Sequence, residues 1–306
     1  MTIRLAVHVG PHKTGSTSVQ RALAANRERL ADSGVWYPPS LANAQFPDQH
    51  ADIAILLATS LIPSALEWLQ QAGDEAGRRG CDTVFLSSEN FRAPQIRHRL
   101  GILLRDHRRR TGAETRLLYV RRESAALARS TVMARLDGEL GFFFREHYDL
   151  RTWAADFVHQ QRQEERFFQR QGCRFLRLEA TPPALLAAEL LRLATDREFS
   201  FVETSRENVT KARLASPPAA MLAYGVRVMQ KIVSGGAIVG ANAAQAVPLV
   251  GEPAATTAGY RDLLAAFGAA VEAAIEAGFA DATRETIWHY RWRLLRRHLE
   301  EVNRSW

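Results

Sequence analysis

Short hydrophobic runs of strand length recur along the first two thirds of the chain, at Arg4 to Val9, Thr83 to Ser87, Arg116 to Arg121 and Arg174 to Leu178. Each run is followed by a segment of helical periodicity or by a loop that leads into one. Strands that alternate with helices are typical of α/β proteins with a parallel sheet. The pattern therefore predicts a three-layer αβα fold, with helices on both faces of a mainly parallel central sheet.

The first predicted helix begins at Ser16 or Thr17 and carries apolar residues four and seven positions apart. Gly34 is expected to end it. Three further helices are predicted at Pro94 to Arg110, Thr152 to Gln171 and Pro182 to Thr195.

The pattern changes after about residue 200, where helical stretches flank a segment rich in alanine and glycine, Gly235 to Thr257. This segment is expected to be a loosely packed connection or a mobile lid. We expect one domain over residues 1–306, with an α/β core at 1–200 and a helical C-terminal region, an extension or lid, at 201–306. The predicted helices of that region lie near Pro217 to Val233, Tyr260 to Ala277 and Thr283 to Val302.

The composition, 46% hydrophobic and 24% charged, is that of ordinary soluble proteins. No run approaches the roughly 18 apolar residues that a membrane-spanning helix needs, so no membrane span is expected. The N-terminus runs directly into the first predicted strand without the apolar region and cleavage site of a signal peptide, which favours a cytoplasmic protein. The net charge of +7 is dispersed along the chain. It suits anionic small substrates or polyanionic glycans, and nucleic acid is not expected as a partner.

The segment from Val7 to Thr17, VHVGPHKTGST, links the first predicted strand to the first predicted helix. Backbone N–H groups and the helix dipole at such a junction favour a bound phosphate. Gly10 and Gly15 have the spacing of a Walker A loop, but that loop carries its lysine directly after the second glycine, where this chain has Ser16. Lys13, in a chain with only three lysines, instead precedes Gly15 by two positions. ATP or GTP hydrolysis is therefore disfavoured.

The order K-T-G-S-T after a hydrophobic strand resembles the 5′-phosphosulfate loop of the sulfotransferase superfamily. That resemblance implies a P-loop-like fold and the nucleotide PAPS (3′-phosphoadenosine 5′-phosphosulfate) as co-substrate. It also implies that Lys13 stabilises charge on the oxygen that bridges phosphorus and sulfur as that bond breaks. The residues expected to bind the 5′-phosphosulfate are Gly10, His12, Lys13, Thr14, Gly15, Ser16 and Thr17.

A second segment, TRLLYVRRESAALARS from Thr115 to Ser130, is predicted as a strand that ends in two arginines and leads into a helix. Sulfotransferases bind the 3′-phosphate of PAPS with a strand-end arginine and a serine eight positions later. Arg122 and Ser130 have that spacing, but Arg121 is the first arginine after the apolar run, so both arginines are candidates. Arginine suits this role because it can form two parallel hydrogen bonds to a phosphate.

Sulfuryl transfer to an alcohol requires a base that takes the proton of the acceptor. The candidates are His50, between a loop and an apolar helix, and Glu89, at the end of a β-type run. The run from Val84 to Phe91, VFLSSENF, resembles the Ser-Ser-Glu element of a bacterial sulfotransferase subgroup, in which histidines also occur near the position of His50. No metal is expected, because no set of His, Cys and carboxylate residues has ligand spacing.

These residues predict an enzyme that transfers a sulfuryl group from PAPS to a hydroxyl or amine of a carbohydrate, lipid or small-molecule acceptor and releases PAP. Two alternatives remain. One is a P-loop kinase or other nucleotide phosphotransferase, which should need Mg²⁺ and an acidic residue at a strand end. The other is a nucleotide-binding or sulfated-glycan-binding module without catalytic activity. The sequence does not specify the acceptor, because loops and helices of variable sequence build acceptor pockets.

Overall fold

The structure is a computed structural model that describes residues 2–11, 14–40, 50–128, 130–131, 150–177, 185–200, 269 and 273–282. The strands are β1 (Arg4–Val9), β2 (Val35–Trp36), β3 (Thr83–Ser87), β4 (Thr115–Arg121) and β5 (Arg174–Arg177). The helices are α1 (Ser16–Ala25), α2 (Arg27–Asp32), α3 (Ala51–Ala58), α4 (Ile62–Arg78), α5 (Pro94–Thr111), α6 (Leu150–Arg170) and α7 (Leu186–Thr195). A 3₁₀ turn covers Glu89–Arg92.

Contacts between residues group the chain into two compact units. The first unit holds Met1–Glu123 and Glu164–Glu207 and contains all five described strands. The second unit holds Ser124–Gln163 and Asn208–Trp306, and each of its described residues is helical. The division predicted at residue 200 differs from this one in the place of residues 124–163. Most of the predicted C-terminal helices lie outside the described residues.

The described strands form one sheet in the order β2-β3-β1-β4-β5, and every neighbouring pair is parallel. The central strand is β1, where Arg4 lies beside Thr83 of β3 and Leu5 lies beside Thr115 of β4. After β1 the chain adds strands first on one side and then on the other. Ligands of such sheets bind at the carboxyl ends of the strands, where the strand order reverses. The prediction of a mainly parallel sheet is confirmed.

Side chains alternate along the strands between two apolar cores. Leu5 and Val7 pack in the core that includes α3, α4 and α5. Ala6 packs in the opposite core, with α1, α7 and the β4 residues Leu118 and Val120. Helices therefore cover both faces of the sheet, and the predicted three-layer αβα fold is confirmed.

The first helical segment differs from its prediction, because α1 ends at Ala25 and the shorter α2 follows. Asn26 lies at the junction with φ −107°, and its side-chain Nδ2 donates a hydrogen bond to the carbonyl oxygen of Ala22 at 2.8 Å. Asparagine side chains that bond to nearby backbone in this way compete with helical hydrogen bonds. The break therefore has a local cause in the side chain of Asn26.

Candidate functional site

The loop from Gly10 to Thr17 leaves the carboxyl end of the central strand β1 and enters α1 at Ser16. Gly15 precedes the helix with φ +83°, a left-handed conformation that favours glycine. A Cβ atom at Gly15 would also lie 3.2 Å from Leu186 Cδ2. The turn into α1 therefore requires the second glycine of the predicted phosphate loop. His12 and Lys13 lie outside the described residues.

The hydroxyl side chains of Thr14 and Ser16 form hydrogen bonds within this loop. Thr14 Oγ1 donates a hydrogen bond to the carbonyl oxygen of Pro11 at 2.8 Å and lies 3.3 Å from Ser16 Oγ. Both side chains are buried, whereas Thr17 is exposed. Thr14 and Ser16 thus shape the turn, and Thr17 offers its hydroxyl at the surface.

The N-terminus of α1 is open to an anion. No side chain forms a capping hydrogen bond there among the described residues, and the first turn contains no acidic residue. The first N–H groups of a helix lack partners within the helix and form the positive end of its dipole. A phosphate or sulfate is the kind of ligand that such a helix end favours.

A buried polar cluster lies on the α1 side of the sheet and joins three elements: His8 of β1, Gln20 of α1 and Ser87 of β3. His8 Nδ1 lies 2.9 Å from Ser87 Oγ, and Gln20 Nε2 donates to the same oxygen at 3.2 Å. None of the three residues is more than 1% exposed. His8 Nε2 has no hydrogen-bond partner within the described part of the chain. No role was predicted for His8 or Gln20 from the sequence, although a histidine within the apolar run RLAVHV was a visible signal.

His50 is held by backbone groups on both sides of its ring. The N–H of Ser87 donates to His50 Nδ1 at 3.0 Å, and His50 Nε2 donates to the carbonyl oxygen of Pro38 at 2.9 Å. The ring is buried and makes edge contacts with Tyr37 and Trp68. His50 therefore connects the chain after β2 to the end of β3, and backbone groups occupy both of its ring nitrogens. Its predicted role as base stays a prediction that this geometry does not favour.

Glu89 begins the 3₁₀ turn that directly follows β3. Two hydrogen bonds of Ser88 fix the start of this turn. Its N–H donates to the carbonyl oxygen of His8 in β1 at 3.2 Å, and its Oγ accepts from the N–H of Asn90 at 3.3 Å. Glu89 itself is half-buried. Burial lowers the pKa of His8, and the negative charge of Glu89 opposes that effect, so the two side chains interact electrostatically. The structure thus brings Glu89 to the strand that carries the loop.

The two candidate arginines lie at the carboxyl end of β4, where Arg121 is the last residue of the strand and Arg122 follows it. A Cβ atom on Gly10 would lie 3.6 Å from the backbone nitrogen and oxygen of Val120. Arg121 is exposed and pairs with Glu165 of α6, with Nε 3.2 Å from Oε1. Val120 packs in the core on the α1 side, so alternation along the strand favours Arg122 as the arginine on the side of α1. This geometry favours Arg122 for the 3′-phosphate.

Ser130, the predicted partner of Arg122, lies in the second compact unit, where residues 124–128 and 130–131 are helical. The serine is half-buried. Its pairing with Arg122 around a 3′-phosphate stays a prediction.

Two of the buried histidines, His8 and His50, predict a loss of stability in acid. Burial lowers the pKa of His8 and of His50 from 6.5 to about 4. Between these pH values the unfolded chain binds protons that the folded chain excludes, so the free energy of unfolding should decrease as the pH falls from about 6.5 to about 4. Each histidine contributes at most about 1.4 kcal/mol per pH unit. Urea denaturation at about pH 7, 6 and 5 measures this slope.

The variant His8→Gln is the control for this measurement, because it removes one of these two imidazoles. Carboxylates also lose stabilising interactions in acid, but those that do not interact with His8 contribute equally in the variant and in the original protein. The slope should therefore be smaller in His8→Gln. Equal slopes in the two proteins would contradict the effect of burial on His8.

Among the described residues, no group of three or more His, Cys, Asp or Glu side chains is placed to hold a metal ion. No described helix is both long and apolar enough to cross a bilayer.

A cavity of about 270 Å³ is lined by Arg4, Leu69 and His107 among others. It lies at the amino end of β1, whereas the loop follows the carboxyl end.

Comparison of the chain with protein-family models, with curated proteins and with solved structures found no match.

Proposed function

We propose that this protein transfers a sulfuryl group from PAPS to a hydroxyl or amine of a carbohydrate, lipid or small-molecule acceptor and releases PAP. The observation that carries the proposal is the loop from Gly10 to Thr17, which connects the central strand to the N-terminus of α1, where no described side chain forms a capping hydrogen bond. This position suits the 5′-phosphosulfate, because the helix end and the backbone N–H groups of the turn attract an anion.

The neighbouring strand ends supply the other groups that the reaction needs. The arginines at the carboxyl end of β4 are suited to bind the 3′-phosphate, and Glu89 after β3 is suited to take the proton of the acceptor. β3 and β4 are the two neighbours of β1. All three segments therefore meet at the carboxyl ends of adjacent strands, where α/β proteins bind their ligands.

In the proposed reaction the acceptor oxygen or nitrogen attacks sulfur while the bond between sulfur and the bridging oxygen breaks. Glu89 takes the proton of the acceptor as the new bond forms. Lys13 stabilises the negative charge that grows on the bridging oxygen, and the N-terminus of α1 holds the 5′-phosphate of the leaving PAP. Binding both substrates in line supplies the orientation that a reaction between two free molecules lacks.

The residue after Gly15 favours this proposal over a phosphotransferase. A Walker A lysine at that position would reach the β and γ phosphates. This chain has Ser16 there, a buried side chain whose hydroxyl lies 3.3 Å from Thr14 Oγ1. A short nucleotide tail with a single 5′-phosphate matches this loop better than a triphosphate does.

PAP is expected to raise the melting temperature of the protein by several degrees at a concentration 100 times its Kd. Binding to the folded state alone adds about 2.7 kcal/mol at that concentration, and about 1 kcal/mol shifts the melting temperature of a chain of this size by about 2–4 °C. AMP, which lacks only the 3′-phosphate of PAP, should stabilise the protein much less. Thermal unfolding with PAP, AMP, ADP, and ATP with Mg²⁺ measures the difference.

Two results of this comparison would decide against the proposal. If ATP with Mg²⁺ stabilises the protein and PAP does not, the phosphotransferase alternative is favoured. If PAP binds but no acceptor from a panel of sugars, lipids and phenols is sulfated with labelled PAPS, the non-catalytic binding module is favoured.

A further inference from the structure

The cluster of His8, Gln20 and Ser87 contains one ring nitrogen that the described fold does not use. His8 is 1% exposed, and its Nε2 has no hydrogen-bond partner among the described residues. Buried polar atoms in native proteins are nearly always paired, and an exception calls for an explanation such as a ligand. The other nitrogen of the same ring is paired with Ser87 Oγ at 2.9 Å.

The hydrogen bonds of Ser87 indicate which ring nitrogen carries the proton. Gln20 Nε2 donates to Ser87 Oγ at 3.2 Å, and His8 Nδ1 is the only other side-chain atom bonded to that oxygen among the described residues. If the Ser87 hydroxyl donates its own proton to Nδ1, that proton has an acceptor, and His8 Nε2 is the one ring nitrogen of the cluster left without a partner among the described residues. A neutral histidine that accepts at Nδ1 carries its proton on Nε2. The unpaired atom is then an N–H donor.

This donor lies beside the start of the phosphate loop. A Cβ atom on Gly10 would lie 3.7 Å from His8 Nε2, so the glycine leaves the space next to this nitrogen free of a side chain. The same loop ends at the open N-terminus of α1, with no capping side chain among the described residues. An N–H donor and a helix N-terminus both favour an anion.

We propose that His8 donates a hydrogen bond from Nε2 to the tetrahedral anion bound by the loop from Gly10 to Thr17. Ser87 and Gln20 are positioning residues, which keep the proton of His8 on Nε2. The inference rests on the proposed function for the identity of the anion, the 5′-phosphate of PAP or the phosphosulfate of PAPS. Burial agrees with a neutral ring, because it lowers the pKa of His8 to about 4.

Nitrogen NMR of the full chain labelled with ¹⁵N-histidine tests the proton position directly. The signals of His8 are assigned by their loss in His8→Gln. We expect Nε2 to be protonated and Nδ1 to be unprotonated in the free protein, and the Nε2–H signal to move when PAP is added to saturation. A proton on Nδ1, or an Nε2–H signal that does not respond to saturating PAP, would overturn the inference.

Variants at the same position test what the donor contributes to binding. His8→Leu is expected to weaken PAP binding by about 10-fold to 100-fold, the loss typical of a hydrogen bond to a charged group. His8→Gln, whose amide N–H can reach the position of Nε2, should retain most of the affinity. Ser87→Ala should weaken PAP binding and reduce the protonated fraction of Nε2. Calorimetry measures the affinities, and a folded His8→Leu variant that binds PAP as tightly as the original protein would overturn the inference.

Tyr119→Phe is a matched control for the loss of a buried hydrogen bond in the same sheet. Tyr119 is buried in the opposite core, and its hydroxyl donates to Glu164 Oε1 at 2.9 Å. This variant should lower the melting temperature and leave the affinity for PAP unchanged. A purely structural role of His8 would make His8→Leu behave in the same way.

Inorganic phosphate as a second probe separates this inference from the proposed function. If phosphate moves the Nε2–H signal and PAP does not bind, the inference holds and the proposed function fails. If PAP binds without affecting His8, the inference fails and the proposed function stands. If neither PAP nor phosphate binds, both are overturned.

Discussion

Replacing Lys13 by alanine is expected to lower kcat for sulfuryl transfer by about 10²–10³-fold, the usual loss when one group that stabilises transition-state charge is removed. The loss of PAP affinity should be much smaller. In the proposed reaction, negative charge grows on the bridging oxygen only as the bond to sulfur breaks. An ammonium group at that oxygen therefore stabilises the transition state more than it stabilises the bound nucleotide.

Turnover with labelled PAPS and calorimetric binding of PAP together measure the two effects. Lys211→Ala is the matched control, because it changes the net charge of +7 by the same amount and its position in the sequence is outside the loop. Full sulfuryl transfer by Lys13→Ala would contradict the proposed role. If PAP affinity falls as much as kcat/KM, with kcat preserved, Lys13 serves binding and not the breaking bond.

Replacing Glu89 by glutamine is expected to lower kcat by about 10²–10⁴-fold, the range that general base catalysis contributes. Glutamine has nearly the same shape but cannot take a proton from the acceptor. Because Glu89 begins the turn after β3, and backbone and Ser88 hydrogen bonds fix this turn, the variant should keep its fold and its affinity for PAP. Turnover, PAP binding and thermal unfolding of the same preparation test all three statements.

His50→Ala is the comparison that separates the two candidate bases. This change leaves the N–H of Ser87 and the carbonyl oxygen of Pro38 without their partner, at a cost of about 1–3 kcal/mol for each buried group. We therefore expect a lower free energy of unfolding and, at a temperature where the variant is folded, a nearly unchanged kcat. Loss of turnover in folded His50→Ala together with normal turnover in Glu89→Gln would assign the base to His50 instead.

The strands of the fold were predictable because both of their faces are buried. β1 and β3 have the predicted bounds, Arg4 to Val9 and Thr83 to Ser87. Strands covered by helices on both sides appear in sequence as continuous apolar runs, which stand out from their surroundings. β2 contains only two residues, too few to show any pattern. Helix α4 was not among the predicted elements, although its buried positions have helical spacing and a proline lies at its start.

The candidate site was predictable where it depends on neighbouring residues in the sequence. The spacing of Gly10 and Gly15 is local, and the structure gives Gly15 the left-handed turn that leads into α1. The cluster of His8, Gln20 and Ser87 joins a strand, a helix and a second strand, so no local pattern reveals it.

The roles of the candidate base and of the candidate arginines likewise depend on contacts with residues that are distant in the sequence. A histidine at the start of an apolar helix suggests a functional group, and only the contacts with Pro38 and Ser87 reveal that both nitrogens of His50 bind backbone. The preference for Arg122 over Arg121 also depends on contacts outside the segment, because Arg121 pairs with Glu165 of α6 and Val120 packs in the core on the α1 side.

The central place of β1 also determines when the nascent chain can assemble this site during synthesis. Although β1 is made before its neighbours β3 and β4, Arg4 has no strand partner until Thr83 has been made, and the edge of β1 that faces β4 stays unpaired until Thr115 has been made. Pairings between such distant residues form slowly, because a long segment must be ordered first. The loop would therefore leave the ribosome long before the strands that support it, and a nucleotide could be bound only after the chain had grown past β4.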